Sequence, residues 1–147
     1  MKLRYFIPLL LCAVLALCAG CAASGGPALP EGLAADIDLT AFSDTAAYAE
    51  VSRMQAYPEE YEGKTVMLRG TFRAFENPDA DGYLFRCLVQ DGTGCCTREM
   101  EFVLRGDHTY PQDYPRLNKQ IVVIGTFTTY TRTGGRFCTL TDAELYT

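Results

Sequence analysis

The sequence predicts a mainly β protein, in which a small five-stranded barrel follows a single helix. The chain contains no Trp but 9 Tyr and 8 Phe, and several runs rich in Val, Ile and Thr favour strands. Apolar and polar residues alternate through most of the chain after residue 64, as expected for strands with one buried face. Glycines in the middle of the first and fourth predicted strands would let those strands bend sharply. Together these features indicate a closed barrel rather than an open sheet.

The helix is predicted at about 45–57, directly before the strands. Ser43 and the two residues after it are suitable N-cap residues. Three apolar residues, at positions i, i+4 and i+7, share one helical face: Ala47, Val51 and Met54. Pro58 is expected to end the helix.

Five strands are predicted, at 64–75, 83–90, 95–105, 119–130 and 136–146. The segments ENPDADG and DGTG, which separate the first three strands, are rich in turn-forming residues. Alternation predicts an inward-facing set consisting of Val66, Leu68, Phe72, Phe85, Cys87, Val89, Cys96, Met100, Phe102 and Leu104. Glu99 and Glu101 are predicted to face outward.

A short repeat precedes the first and fourth strands. Residues 57–61 and 110–114 both begin with Tyr-Pro and end with Tyr, and each is followed by a Lys, a run of aliphatic residues and Gly-Thr-Phe. Two copies are too few for a solenoid, so we expect two similar strands whose Tyr-Pro segments cap the barrel. The alternative is that four tyrosines contribute to a binding surface: Tyr57, Tyr61, Tyr110 and Tyr114.

Three phrases, YEGKTVMLRGTF, NKQIVVIGTF and DGTGCCTREMEFVL, resemble strands of OB-fold domains in bacterial envelope lipoproteins. The resemblance spans roughly 57–146. It implies a Greek-key barrel of five strands, with the fifth strand beside the third. The helix usual between the third and fourth strands would be reduced to a connection at 107–117. The resemblance implies no particular activity.

The first 20 residues have the pattern of a secretory signal peptide, with Lys2 and Arg4 before an apolar run. That run is too short to span a bilayer comfortably. Ala19 and Gly20 precede Cys21, an arrangement that resembles the lipobox of bacterial lipoproteins, in which the cysteine is acylated. The resemblance implies lipid attachment at Cys21 and an extracytoplasmic, membrane-anchored protein; the alternative is a secreted protein that is cleaved nearby and carries no anchor. Residues 21–36 are predicted to be a flexible linker and 37–147 the folded domain.

Charge argues against nucleic acid as a partner. The chain carries a formal charge of −5, and because Lys2 and Arg4 belong to the predicted signal, the remainder carries about −7. Such a domain would repel a phosphate backbone.

Four cysteines belong to the predicted domain: Cys87, Cys95, Cys96 and Cys138. Strand alternation directs Cys87, Cys96 and Cys138 inward and Cys95 outward, and three or four thiols would converge if the strand order is OB-like. Three interpretations remain open. The thiols are small buried residues or one structural disulfide, which an extracytoplasmic location permits. Otherwise they hold Zn²⁺ or Cu(I), with His108, Glu99 or Glu101 as further ligands, or they form a redox site at Cys95 and Cys96.

No catalytic constellation is visible in the sequence. His108 is the only histidine and lies in a polar connection, with no nucleophile arrangement around it. The sequence therefore predicts a lipid-anchored binding or interaction module with no required cofactor, whose partner is an envelope protein or a small ligand. The alternative is a thiol-based metal-binding or redox protein, and an enzyme acting on a small substrate ranks third.

Overall fold

The computed structural model describes residues 26–147, which form a mainly β domain. Within this range the elements are β1 (Ile37–Asp38), α1 (Asp44–Ala56), a 3-10 turn (Pro58–Glu60), β2 (Thr65–Glu76), β3 (Tyr83–Gln90), β4 (Thr97–Leu104), β5 (Gln120–Arg132) and β6 (Gly135–Tyr146). The predicted mainly β class with one N-terminal helix is confirmed. The two-residue strand β1 was not predicted.

Helix α1 forms as its sequence predicts and begins one residue earlier. The Ser43 hydroxyl accepts a hydrogen bond from the Ala46 N–H at 3.3 Å, which satisfies one of the free N–H groups of the first turn. Its three predicted apolar residues, Ala47, Val51 and Met54, are all buried. Through this face the helix packs against β3 and β4.

The five long strands form a barrel-like ring. Its hydrogen-bonded order is β2–β3–β4–β6–β5, and β5 pairs again with β2. All neighbours are antiparallel except β4 and β6, which are parallel and have a register irregularity between Phe102 and Leu104. The fifth long strand lies beside the third, as expected. β1 pairs in parallel with the start of β2.

The two mid-strand glycines permit close approach between neighbouring strands. A Cβ atom on Gly70 would lie 2.3 Å from the carbonyl oxygen of Leu88 on β3, and one on Gly125 would lie 2.9 Å from that of Thr141 on β6. Both distances are shorter than real Cβ contacts. Glycine is therefore favoured at both places, where β2 and β5 lie close to a neighbouring strand.

The barrel interior is filled mainly by the predicted inward-facing side chains. Its largest fully buried members include Phe72, Phe102, Phe127, Leu68, Met100, Ile121 and Leu140. Predicted inward residues Phe85 and Leu104 are partly buried and pack against this core.

Residues 26–36, which fall within the predicted linker, contact the barrel. Leu29, Leu33 and Ala35 pack against an outer apolar patch formed by Met67, Val122 and Ile124. The Asp36 carboxylate also accepts a hydrogen bond from the Thr65 N–H at 2.8 Å. These three apolar side chains find partners on the outside of β2 and β5, which explains the docking.

The predicted signal peptide and Cys21 lie outside the described residues. Within residues 26–147, no helix has the length and apolar character needed to cross a membrane.

Candidate functional site

The turn between β3 and β4 brings two thiols and a carboxylate together. The Asp91 carboxylate accepts hydrogen bonds from the N–H groups of Cys95, at 3.0 Å, and Cys96, at 3.4 Å. The Thr93 hydroxyl contacts both carboxylate oxygens at 3.0 Å, and the Asp91 N–H donates to the Cys96 carbonyl at 3.0 Å. Asp91 therefore organises the whole turn, and we call Asp91, Cys95 and Cys96 the thiol turn.

Its side-chain ligand atoms are close neighbours. The Sγ atoms of Cys95 and Cys96 lie 3.4 Å apart, and Cys95 Sγ lies 3.6 Å from Asp91 Oδ2. One ligand atom from each of the three residues falls within 4.8 Å of the others, and both cysteines are exposed. The arrangement offers two soft sulfur ligands and one oxygen to solvent.

Local interactions set the proton affinities of the thiol turn. The hydrogen bond that the Cys96 thiol shares with Cys95, followed by repulsion from charge on Cys95, desolvation and the charge on Asp91, raises the pKa of Cys96. At Asp91 desolvation acts to raise the pKa, but hydrogen bonds from Thr93 and from the backbone of Cys96 outweigh it, so that the pKa is lowered. A raised pKa disfavours the thiolate of Cys96 at neutral pH.

Three or four thiols were expected to converge, but the structure brings together two, Cys95 and Cys96. Cys96 precedes β4 instead of lying on it, and it is exposed rather than inward. Cys87 is opposite Met100 in the β3–β4 register and is fully buried, and burial raises the pKa of its thiol. Cys138 is half-buried against the core. Among residues 26–147 all four cysteines are free, so no structural disulfide is formed.

The other proposed ligands lie apart from the thiol turn. His108 is exposed, with Nε2 at 2.9 Å from the Arg105 carbonyl oxygen. Glu99 forms an ion pair with Arg86. Glu101 lies on the outer barrel surface, but it is only 8% exposed, and it accepts a 2.7 Å hydrogen bond from the Tyr130 hydroxyl.

The four repeat tyrosines do not form one surface. Tyr61 is buried and donates a hydrogen bond to Glu50 at 2.6 Å, whereas Tyr57 is exposed. Tyr110 and Tyr114 pack on Phe85, with ring centroids 5.5 and 3.9 Å away. Tyr114 borders a cavity of about 340 Å³ that His108 also lines.

A charged cleft on the outside of β3, β4 and β6 was missed by sequence reasoning. It has a volume of about 430 Å³, and we call it the arginine cleft. Its lining consists of Gln55, Arg86, Thr97, Arg98, Glu99, Glu101, Arg136, Phe137 and Cys138. Alternation predicts that Glu99 and Glu101 of this lining face outward, but only the pairing of β4 with β6 brings Arg136 to the β3 and β4 residues.

The arginines of this cleft differ in how firmly they are held. Arg98 donates to the Ser52 hydroxyl at 2.9 Å and lies over the Tyr48 ring. Arg136 is half-exposed and reaches only Glu59, at 3.6 Å. An exposed pair of this length contributes little to stability, so Arg136 is available to a ligand.

Two residues that neighbour the lining of the arginine cleft have buried polar atoms without a partner. The Thr139 hydroxyl and Nη1 of Arg132 are buried without a hydrogen-bond partner among the described residues. Thr139 is 4% exposed and is the register partner of Glu101, and Arg132 covers the Phe137 ring at 4.1 Å. Buried polar groups in native proteins nearly always have partners, so these two atoms have unused hydrogen-bonding capacity.

Comparison with known proteins adds no assignment: no protein-family model matches the chain, and no curated protein gives a significant match.

Proposed function

We propose that the protein is a lipid-anchored binding module of the bacterial cell envelope, and that its arginine cleft holds a polar ligand that carries negative charge. The observation that carries the proposal is the cleft itself. Arg86, Arg98 and Arg136 line it, and guanidinium groups are suited to bidentate recognition of carboxylate or phosphate.

The charge distribution supports a small or locally anionic ligand. The chain after the predicted signal carries about −7, yet the cleft lining contains three arginines against two glutamates. One of those glutamates is paired with Arg86, and the other accepts a hydrogen bond from Tyr130. A long polyanion would meet the surrounding negative field, whereas a compact anionic group would meet mainly the cleft.

The test of ligand binding compares two exposed arginines that each have one carboxylate partner. Arg136 lines the cleft, and Arg105, which does not, pairs with Glu144 at 3.1 Å. Immobilised full-length protein is presented with envelope extract separated into anionic and neutral pools. We expect the wild-type and Arg105→Glu proteins to retain material from the anionic pool, and Arg136→Glu to retain at least about tenfold less, which corresponds to about 1.4 kcal/mol. Equal retention by all three proteins, or retention by none, would contradict the proposal that the arginine cleft binds an anionic ligand.

The anchor is supported by the sequence around Cys21, and two or more acyl chains would hold the protein stably at a membrane. We expect wild-type and Cys18→Ser proteins to sediment with membranes and to incorporate labelled fatty acid. Cys21→Ser is expected to lose the label and remain in the extracytoplasmic soluble fraction, or to accumulate with its signal uncut. Labelling of Cys21→Ser at the wild-type level would contradict the assignment.

A further inference from the structure

We infer that the thiol turn is a binding site for a thiophilic cation of tetrahedral preference, with Zn²⁺ as its reference ion. Cys95 Sγ, Cys96 Sγ and Asp91 Oδ2 would be the three protein ligands. The fourth position would face solvent, since both cysteines are exposed. This inference does not depend on the arginine cleft or on its ligand.

Two of the three separations between ligand atoms are within a few tenths of an ångström of those in a tetrahedral zinc site, and all three are under 4.8 Å. With Zn–S near 2.3 Å and Zn–O near 2.0 Å, tetrahedral angles place two sulfurs about 3.8 Å apart and a sulfur about 3.5 Å from an oxygen. The observed Sγ···Sγ distance is 3.4 Å, and the observed Sγ···Oδ2 distance is 3.6 Å. An increase of a few tenths of an ångström between the sulfurs would be enough to admit the ion.

The backbone holds the ligands in place before any ion binds. Oδ1 of Asp91 accepts both cysteine N–H groups, which leaves Oδ2 directed at Cys95 Sγ. Gly94 has a φ of +71°, a backbone conformation that glycine adopts without strain, and it allows the chain to turn directly before the two cysteines. Adjacent cysteines on an extended strand would point to opposite faces, so this turn is what brings both sulfurs to one side.

Binding is balanced in charge and protons. Zn²⁺ replaces the two thiol protons, forms two Zn–S bonds and one Zn–O bond, and releases two H⁺ to solvent. The complex with two thiolates and one carboxylate carries a local charge of −1, and the guanidinium of Arg98 acts favourably on Cys96. No oxidant or reductant is required.

The experiment uses full-length detergent-solubilised protein, with Zn²⁺ measured by titration and Co²⁺ as a coloured tetrahedral substitute. A Cys95→Ser/Cys96→Ser double variant measures the Zn²⁺ bound by the rest of the protein, including any of Cys12, Cys18 and Cys21 that is present and free. Above that background we expect one equivalent of Zn²⁺, two protons released, and Co²⁺ absorption with sulfur-to-metal charge transfer. Cys95→Ser and Cys96→Ser are each expected to weaken Zn²⁺ binding at least about tenfold, as losses around metal sites do.

Two further variants separate coordination from folding. Asp91→Asn retains a side-chain oxygen for the two cysteine N–H groups but removes the carboxylate ligand, so it is expected to weaken Zn²⁺ binding without changing the unfolding midpoint of the metal-free protein. Cys138→Ser removes a thiol outside the turn and is expected to bind as wild type does. Wild-type Zn²⁺ affinity in the double variant, loss of binding in Cys138→Ser, or no saturable binding by the wild type would each overturn the inference. None of these results bears on ligand retention by Arg136→Glu.

Discussion

The Tyr61 ring lies 6.0 Å from the Phe127 ring, and the Tyr114 ring lies at the same 6.0 Å from Phe72. Each tyrosine is the last residue of the Tyr-Pro segment in one copy of the repeat. It packs on the phenylalanine that ends the Gly-Thr-Phe segment of the other copy. The backbone follows the same relation. Phe127 N–H donates to the Lys64 carbonyl at 2.9 Å, and Phe72 N–H donates to the equivalent Lys119 carbonyl at 2.9 Å. The β2–β5 ladder therefore has a local two-fold relation, and the Tyr-Pro segments cap its opposite ends.

Replacing Phe72 by leucine is expected to destabilise the fold more than the same change at Phe127. Phe72 has three aromatic neighbours within 6.3 Å, namely Phe85, Phe102 and Tyr114, whereas Phe127 has Tyr61. Because each aromatic pair contributes about 0.5–1.5 kcal/mol beyond its buried area, Phe72→Leu should lower the free energy of unfolding by at least about 1 kcal/mol more than Phe127→Leu. Urea denaturation measures both, and equal losses would contradict the argument.

Replacing the two mid-strand glycines by alanine should destabilise the fold to different extents. Alanine at position 70 meets a carbonyl oxygen at 2.3 Å and the Cys87 sulfur at 2.7 Å, whereas alanine at position 125 meets its nearest atoms at 2.9–3.1 Å. Overpacking of this kind costs about 1–3 kcal/mol, and we expect Gly70→Ala at or above the upper end and Gly125→Ala below it. Chemical denaturation gives the order, and a larger loss at Gly125 would refute it.

Alkaline pH should weaken the fold through two phenols. Burial, followed by a hydrogen bond to a glutamate, raises the pKa of Tyr61 and of Tyr130 to about 12. The unfolded value is 10.0, so the folded state holds these protons more tightly. Their stabilising contribution is complete below pH 10 and is lost as the pH rises towards 12. Urea midpoints should fall over that interval, and less steeply in Tyr61→Phe. An identical slope in the variant would argue against Tyr61 as a source.

Thiol labelling should divide the four domain cysteines into three classes. Cys95 and Cys96 are exposed, Cys138 is half-buried and Cys87 is fully buried. We expect the first two to react fastest, Cys138 slowly, and Cys87 only in denaturant, because burial raises the pKa of its thiol and excludes the reagent. Peptide mass spectrometry without a reductant reads each site. Two cysteines that stay unlabelled in denaturant until a reductant is added would indicate a disulfide instead.

The sequence predicted those parts of the fold that depend on local pattern. The burial of Val51 and Met54 on α1, and of Phe72 on β2, follows from periodicities of 3.6 and 2. The same rule failed at Cys96, because hydrogen bonds to Asp91 hold the chain in a turn where alternation has no meaning. The backbone of this turn places both sulfurs on one side, and the alternation rule does not describe that backbone.

The arginine cleft was beyond sequence reasoning for a different reason. Arg86 and Arg136 are 50 positions apart, and they line one cleft only because β4 pairs with β6 in parallel. Likewise, Glu101 alternates outward as predicted, yet the Tyr130 side chain from β5 helps to cover it. Contacts between distant strands decide such sites, and spacing along the chain contains no information about them.

The docking of Leu29 and Leu33 on the barrel limits how far the domain could travel from an acylated Cys21. Gly26 is the first described residue, and the five-residue advance from Cys21 to Gly26 spans at most about 18 Å whatever its conformation. With residues 26–36 docked, the domain would be confined to a thin layer next to the lipid headgroups. Any ligand that it binds would then have to reach the bilayer surface, because the domain could not extend farther from the membrane.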